Sequence, residues 1–212
     1  MMNDAEALVE ELRFEGISHP AVLDAIAKIP RDRFVSKETL SQAYQNIALP
    51  IDCQQTISQP YIVALMTQAL FRHPYPKKIL EIGTGSGYQA AILAHIFEEV
   101  YTIERIDKLA LSAQKKIRAL NLQNIHFKCD DGSLGWPEHA PYDGILVTAC
   151  AERPPKALIE QLSAQGGVLV IPLGAQKGVQ ILTLIQKEGD KTFSSNLEYV
   201  SFVPLIEKNQ SK

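Results

Sequence analysis

Cysteine is scarce and poorly placed for cross-linking: Cys53, Cys129 and Cys150 are the only three, far apart, with no C-x-x-C pair and no histidine at ligand spacing. That excludes a disulfide framework and a cysteine–histidine zinc site, and it reads as reduced thiols in a cytoplasmic protein. The histidines are scattered, so no metal ion is expected. Positive charge is not in surplus, because 21 Lys plus Arg stand against 24 Asp plus Glu, a net charge of −3. Nothing is left over to neutralise a phosphate backbone, so no nucleic-acid partner is expected. Long apolar runs are missing as well. No stretch reaches the ~18 residues of a membrane span, and the segment Met1–Pro20 lacks the basic start and apolar centre of a signal peptide. The expectation is a soluble, intracellular chain with no membrane partner and no internal repeat.

What is present is enough apolar residue for a core, 46% of 212 residues, in a chain too short for two ordinary domains. Ala5, Leu8, Val9 and Leu12 recur at helical spacing ahead of Gly16, and Val22, Ala25, Ile26 and Ile29 repeat the pattern before Pro30. Residues 31–57 read as a loop-rich cover with a short helical piece near Lys37–Tyr44. Pro60 opens a further helix with Ile62, Val63, Met66, Ala69 and Leu70 inward.

After Pro76 the texture changes. Short apolar strands at Lys78–Ile82, Val100–Glu104, Ile125–Phe127, Gly144–Val147 and Val168–Pro172 alternate with helical segments near Tyr88–Ile96, Lys108–Leu120 and Lys156–Leu162. Alternation of this kind predicts an α/β fold: a doubly wound, mostly parallel sheet with helices on both faces. Val179–Gln186 and Leu197–Leu205 flank a turn around Gly189 and predict an antiparallel C-terminal hairpin. The N-terminal helices form a cover.

The sharpest motif is Glu81-Ile82-Gly83-Thr84-Gly85-Ser86-Gly87, between a strand and a helix, where an open α/β sheet binds its ligand. Glycines at 83, 85 and 87 let the backbone approach a nucleoside-bearing ligand closely. A dinucleotide fingerprint needs G-x-G-x-x-G, and its third glycine is here the bulky Tyr88, which disfavours a nicotinamide oxidoreductase. Glu104 closes the next strand, at the place where such folds put an acid on the ribose hydroxyls. Glu81 either contacts the ligand or receives loop amides, and Asp131 before Gly132 is either a ligand contact or a turn former.

These motifs, with Asp131-Gly132 after the third strand, resemble the cofactor sites of class I methyltransferases. A second segment is more specific. Gln55-Thr56-Ile57-Ser58-Gln59-Pro60-Tyr61-Ile62-Val63-Ala64 is similar to the hallmark of the protein-L-isoaspartate O-methyltransferase family, and Pro30-Arg31-Asp32-Arg33-Phe34-Val35, Ala140-Pro141-Tyr142-Asp143 and Phe202-Val203-Pro204-Leu205 add to the likeness. The resemblance implies S-adenosyl-L-methionine as cofactor and isoaspartyl residues of damaged proteins and peptides as substrate, methylated on the free α-carboxylate so that the ester closes to a succinimide. It implies Ser58 as the catalytic serine, donating to one carboxylate oxygen. Taken without the resemblance, Ser58 reads as a helix N-cap. It further implies Thr56 and Ile57 at the cofactor or substrate mouth, Asp131 and Gly132 on the adenine, and Gln180 near the cofactor. Tyr61 and Trp136 read as packing aromatics.

One methyltransferase domain over 1–212 follows, with the active-site segment in 1–76, the cofactor-binding core in 77–175 and the hairpin and tail in 176–212. A monomer is the simplest expectation. The chain departs from the family where I-G-Y-G-Q-T is usual: here stand Ile51-Asp52-Cys53-Gln54-Gln55-Thr56, with two glycines lost and a negative charge added. Asp130 likewise replaces a glycine and Ser201 an arginine. Two rival readings remain open at this stage: a same-fold methyltransferase with another carboxylate or small-molecule acceptor, and a cofactor-binding protein with impaired catalysis.

Overall fold

The computed structural model describes residues 3–175 and 178–207; residues 1–2, 176–177 and 208–212, which fall in the N-terminal segment and the C-terminal tail, lie outside the described residues. Asn3 and Glu6 exchange side chain to backbone hydrogen bonds of 2.9 Å each, a capping box that starts α1 (Asp4–Phe14). The helix buries Leu8, Val9 and Leu12, and α2 (Pro20–Lys28) buries Val22, Leu23, Ala25 and Ile26 before the chain reaches Pro30. α1 packs on α2 and on α3 (Pro60–Ala69), and α2 packs on α3 and on α4 (Tyr88–Ile96), forming the predicted cover.

Between α2 and α3 two strands of three residues each, β1 (Leu49–Ile51) and β2 (Gln55–Ile57), pair antiparallel in a hairpin of their own. The main sheet follows: β3 (Lys78–Ile82), β4 (Glu99–Glu104), β5 (Ile125–Cys129), β6 (Gly144–Val147), β7 (Gln165–Gly174), β8 (Gln180–Glu188) and β9 (Lys191–Val200). Their spatial order is β5-β4-β3-β6-β7-β8-β9, parallel from β5 through β7 and antiparallel thereafter. Alternate residues of the central strands go to opposite faces and both faces are apolar, as a two-sided sheet requires. Ile79, Val100, Leu146 and Val170 join the core on one side, while Leu80, Ile103, Ile145 and Leu169 join the core on the other. The first side is covered by α3 and α4, with α5 (Asp107–Arg118) lying beside α4. The second is covered by the short α6 (Lys156–Glu160) and by the irregular connection from β5 to β6. No helix among the described residues is long and apolar enough to cross a membrane.

Several expected boundaries change, each for a physical reason. The last strand is Lys191–Val200, not Leu197–Leu205, because the turn at Gly189, at φ +61, reverses the chain at once and Lys191 pairs with Glu188. Residues 201–205 leave the sheet and run beside Cys150, whose N–H donates to Val203 O (2.8 Å) and whose carbonyl accepts from Leu205 N (2.7 Å). The piece near Lys37–Tyr44 is a 3-10 helix, Lys37–Gln42, and α6 stops at Glu160, short of Leu162. The cap of α3 is Gln59, with no side-chain hydrogen bond, so Ser58 does not serve as the N-cap.

Candidate active site

β3 lies between β4 and β6, so the chain order reverses around it and a crevice opens beyond the strand ends. A cavity of about 470 Å³ occupies that crevice, within the size range of small-molecule sites. Its floor is the loop from Ile82 to Ser86, one wall is the hairpin tip and α3 approach from Cys53 to Ser58, and Phe202 to Ile206 close a third side.

Gly83 begins the loop at φ +94, and a Cβ there would stand 2.3 Å from Thr148 Oγ1, which itself donates to the Gly83 carbonyl at 2.7 Å. Only glycine meets both demands. Gly87 ends the loop at φ +91 as the cap of α4, where a Cβ would meet the Ala113 side chain of α5 at 3.0 Å. Its task is helix packing, and it does not line the cavity. Gly85 does line it; beside its Cα the nearest obstacle to a Cβ is Ile51 Cδ1 across the crevice at 4.0 Å, so a side chain would project into the space.

Glu104, buried and on the cavity wall, accepts from Gly85 N (2.9 Å) with one oxygen and from Ile106 N (3.0 Å) with the other. Each oxygen keeps a lone pair for a further donor. Glu81 lies under the loop, fully buried. Thr102 Oγ1 donates to its Oε2 at 2.5 Å, Thr84 Oγ1 stands at hydrogen-bond distance from Thr102, and Oε1 has no partner among the described residues. Burial pushes this carboxyl up to about 8, with the Glu104 charge adding to the shift and the Thr102 bond opposing it.

Thr56, Ile57, Ser58, Gly83, Gly85, Glu104 and Gly132 therefore meet in one cavity, although they come from four separate stretches of the chain. Gly132 sits against Ile82, where a Cβ would come within 2.4 Å of Cγ2. The other expected residues stand off the wall. Asp131 Oδ1 accepts from Ser133 N (2.9 Å) and Oγ (2.7 Å), the turn-forming role left open by the sequence. Gln180 is committed to the backbone of Phe202, accepting from its N–H at 2.6 Å and donating to its carbonyl at 3.1 Å, so its link to the cavity is indirect. Asp52, whose charge seemed misplaced beside an anionic substrate, pairs with Lys108 at 3.1 Å. Thr148 and Arg105 were missed, although each follows a predicted strand at its C-terminal end, where ligands of such sheets gather. Among the described residues no group of three or more His, Cys, Asp or Glu is placed to hold a metal ion.

A Rossmann-like sheet with this loop at its switch point fits the class I methyltransferases that the motifs resemble. Comparison with known proteins narrows the class. The family model for protein-L-isoaspartate (D-aspartate) O-methyltransferase matches residues 3–210, and this chain belongs to that family. A protein-L-isoaspartate O-methyltransferase of Shewanella sp. (strain ANA-3) is 50% identical over 97% of this chain and 95% of its own length. One from Dictyoglomus thermophilum is 54% identical over 93% of this chain and 89% of its own. A solved protein-L-isoaspartate O-methyltransferase superposes with a TM-score of 0.85 at 30% identity, over 94% of this chain and 65% of that longer one.

Proposed function

We propose that this protein transfers a methyl group from S-adenosyl-L-methionine to the free α-carboxylate of L-isoaspartyl residues in damaged proteins and peptides. The observation that carries the reading is that Ser58, with Thr56 and Ile57, stands on the wall of the same cavity as the glycine loop and Glu104. Two segments with separate resemblances thus serve one space. The cavity suits the cofactor: Gly85 leaves room that a side chain would fill, and the buried Glu104 keeps free lone pairs on the cavity wall, which in this reading accept from the ribose hydroxyls. In this reading Gly132, which packs against Ile82, contacts the adenine, and Asp131 shapes that turn.

When bound, the cofactor would supply an electrophilic sulfonium methyl to a carboxylate oxygen and would leave as the neutral thioether. No general base is needed, since an α-carboxylate with an ordinary pKa of about 3.3–3.7 is ionised at neutral pH. The chain supplies alignment. Ser58 donates its hydroxyl to one carboxylate oxygen and leaves the other free to attack, and holding reactants in line is worth about 7–11 kcal/mol. A neutral donor suits this chemistry, because the carboxylate charge is neutralised as the bond forms and a cation pressed on it would favour the ground state. In this reading the enzyme works in the cytoplasm, where its three free thiols, Cys53, Cys129 and Cys150, stay reduced, and as a monomer.

Methyl-labelled cofactor and two peptides differing only in isoaspartyl or aspartyl linkage test the proposal. Base-labile ester is expected on the isoaspartyl peptide alone. Ser58→Ala is expected to lower the rate roughly 10–100-fold, the worth of one hydrogen bond to a charged group. Equal labelling of both peptides would overturn the substrate assignment, and no label with the cofactor bound would point to the altered loop at 51–56.

A further inference from the structure

We infer that Arg31 is a positioning residue of this reaction, acting through Ser58; the inference rests on the reading of Ser58 above. Arg31 is wholly buried, and its Nη2 donates to two carbonyls, Ser58 O at 2.9 Å and Ile47 O at 3.3 Å. Ile47 comes two residues before β1 and Ser58 directly follows β2, so one nitrogen closes the open end of the hairpin. Two strands of three residues do not hold together in water by themselves. The Ser58 carbonyl has no place in the ladder of α3, whose first bond is accepted by Gln59 O from Val63 N. Without Arg31 that carbonyl loses the partner that fixes its direction, and the hydroxyl on the same residue loses its aim.

The guanidinium also stands 4.9 Å from the centre of the Tyr88 ring, and Tyr88 both opens α4 after the glycine loop and lines the cavity. Phe34 meets the other side of this arrangement edge-on to Tyr88, with ring centres 5.5 Å apart. One buried cation therefore references the serine wall to the cofactor wall. No carboxylate among the described residues lies within ion-pair distance of it, the nearby Asp32 being taken by the Tyr44 hydroxyl at 2.9 Å. Burial pulls the group down to about 10, which leaves it charged at neutral pH. Keeping an unpaired charge in the interior is costly, and carbonyls plus a ring face are what it holds in return. Arg31 is not on the cavity wall, so its charge stays off the nucleophile.

A double-mutant cycle with the full-length enzyme tests this: Arg31→Met, which keeps bulk and removes charge and donors, is combined with Ser58→Ala. Cofactor affinity and the kcat and KM for the isoaspartyl peptide are read in each. Arg31→Met is expected to lower kcat about tenfold with cofactor Kd changed less than about twofold, and to have under about a twofold effect once Ser58 is alanine. Arg31→Lys, which can still reach one carbonyl, should recover part of the loss; it replaces Arg31→Met in the cycle if the latter does not fold. The same tenfold loss in both backgrounds, or a cofactor Kd that rises as much as kcat falls, overturns the inference while leaving Ser58 standing. Full activity of Ser58→Ala overturns the reading of the serine itself, and the coupling with it.

Discussion

At the scale of single residues, Glu81 and Glu104 show how two glutamates at the ends of adjacent strands acquire different chemistry. Glu104 accepts two backbone N–H groups and lines the cavity as a ready acceptor, whereas Glu81 has a threonine hydroxyl on one oxygen and no partner on the other. With its pKa raised from 4.5 to about 8, Glu81 holds a proton in the folded protein that the unfolded chain releases. Stability contributed by the protonated form is present below about 4.5 and is lost as pH rises through about 8, with a slope of up to about 1.4 kcal/mol per pH unit between. We expect Glu81→Gln to flatten that slope, as denaturant midpoints measured from acid to mildly alkaline pH would show. Parallel profiles for the two proteins would mean that folding does not raise the Glu81 pKa.

Among the elements, the β1–β2 hairpin is the one whose sequence departs most from the family pattern. Cys53 and Gln54 both sit at φ +58, a left-handed conformation that costs a residue with a side chain roughly 1–2 kcal/mol. The family's usual second glycine falls on Gln54, so that loss is felt, while the glycine replaced by Asp52 falls where φ is not positive. Asp52 instead forms the bridge to Lys108 of α5. Both side chains are exposed, so the bridge tethers the tip weakly and is screened by salt. We expect Gln54→Gly to raise stability by about 0.5–1 kcal/mol, the relief of strain less the entropy glycine adds to the unfolded chain. Thermal unfolding would register this, and a lowered midpoint would show that the Gln54 side chain holds the tip in some other way.

For the whole molecule, the apolar cluster of the N-terminal cover adjoins that of the sheet on the α3–α4 side, with Tyr61, Leu65, Phe71 and Ile96 packed against both, and the cavity wall is drawn from cover and sheet alike. We propose that 1–212 unfolds as one domain, and expect a single cooperative transition by calorimetry. Cofactor at about 100 times its Kd should then add about 2.7 kcal/mol and move the whole transition up by roughly 5–10 °C. Two transitions, of which the cofactor moves one, would separate the cover from the sheet.

The alternation of strands and helices, the glycine loop and the place of Glu104 at a strand end were legible because each rests on local signals: apolar period, turn chemistry and residue spacing within one element. The Ser58 segment was legible only through its resemblance to a family hallmark, since its local signal pointed to an N-cap that the structure gives to Gln59. The hairpin was not legible, since nothing in Asp52-Cys53-Gln54 announces two left-handed residues. Nor was the path of residues 201–205, which is set by bonds to Cys150 and by Gln180, 22 residues away from Phe202. Arg31 stood in a recognised motif, yet its hold on a carbonyl 27 residues later has no periodicity to betray it. By itself the sequence determined which elements form and which chemical groups the site contains. Which of those groups face the cavity, and which brace it from behind, was decided by the packing of distant segments, because contacts across the chain depend on a folded interior that no local pattern encodes.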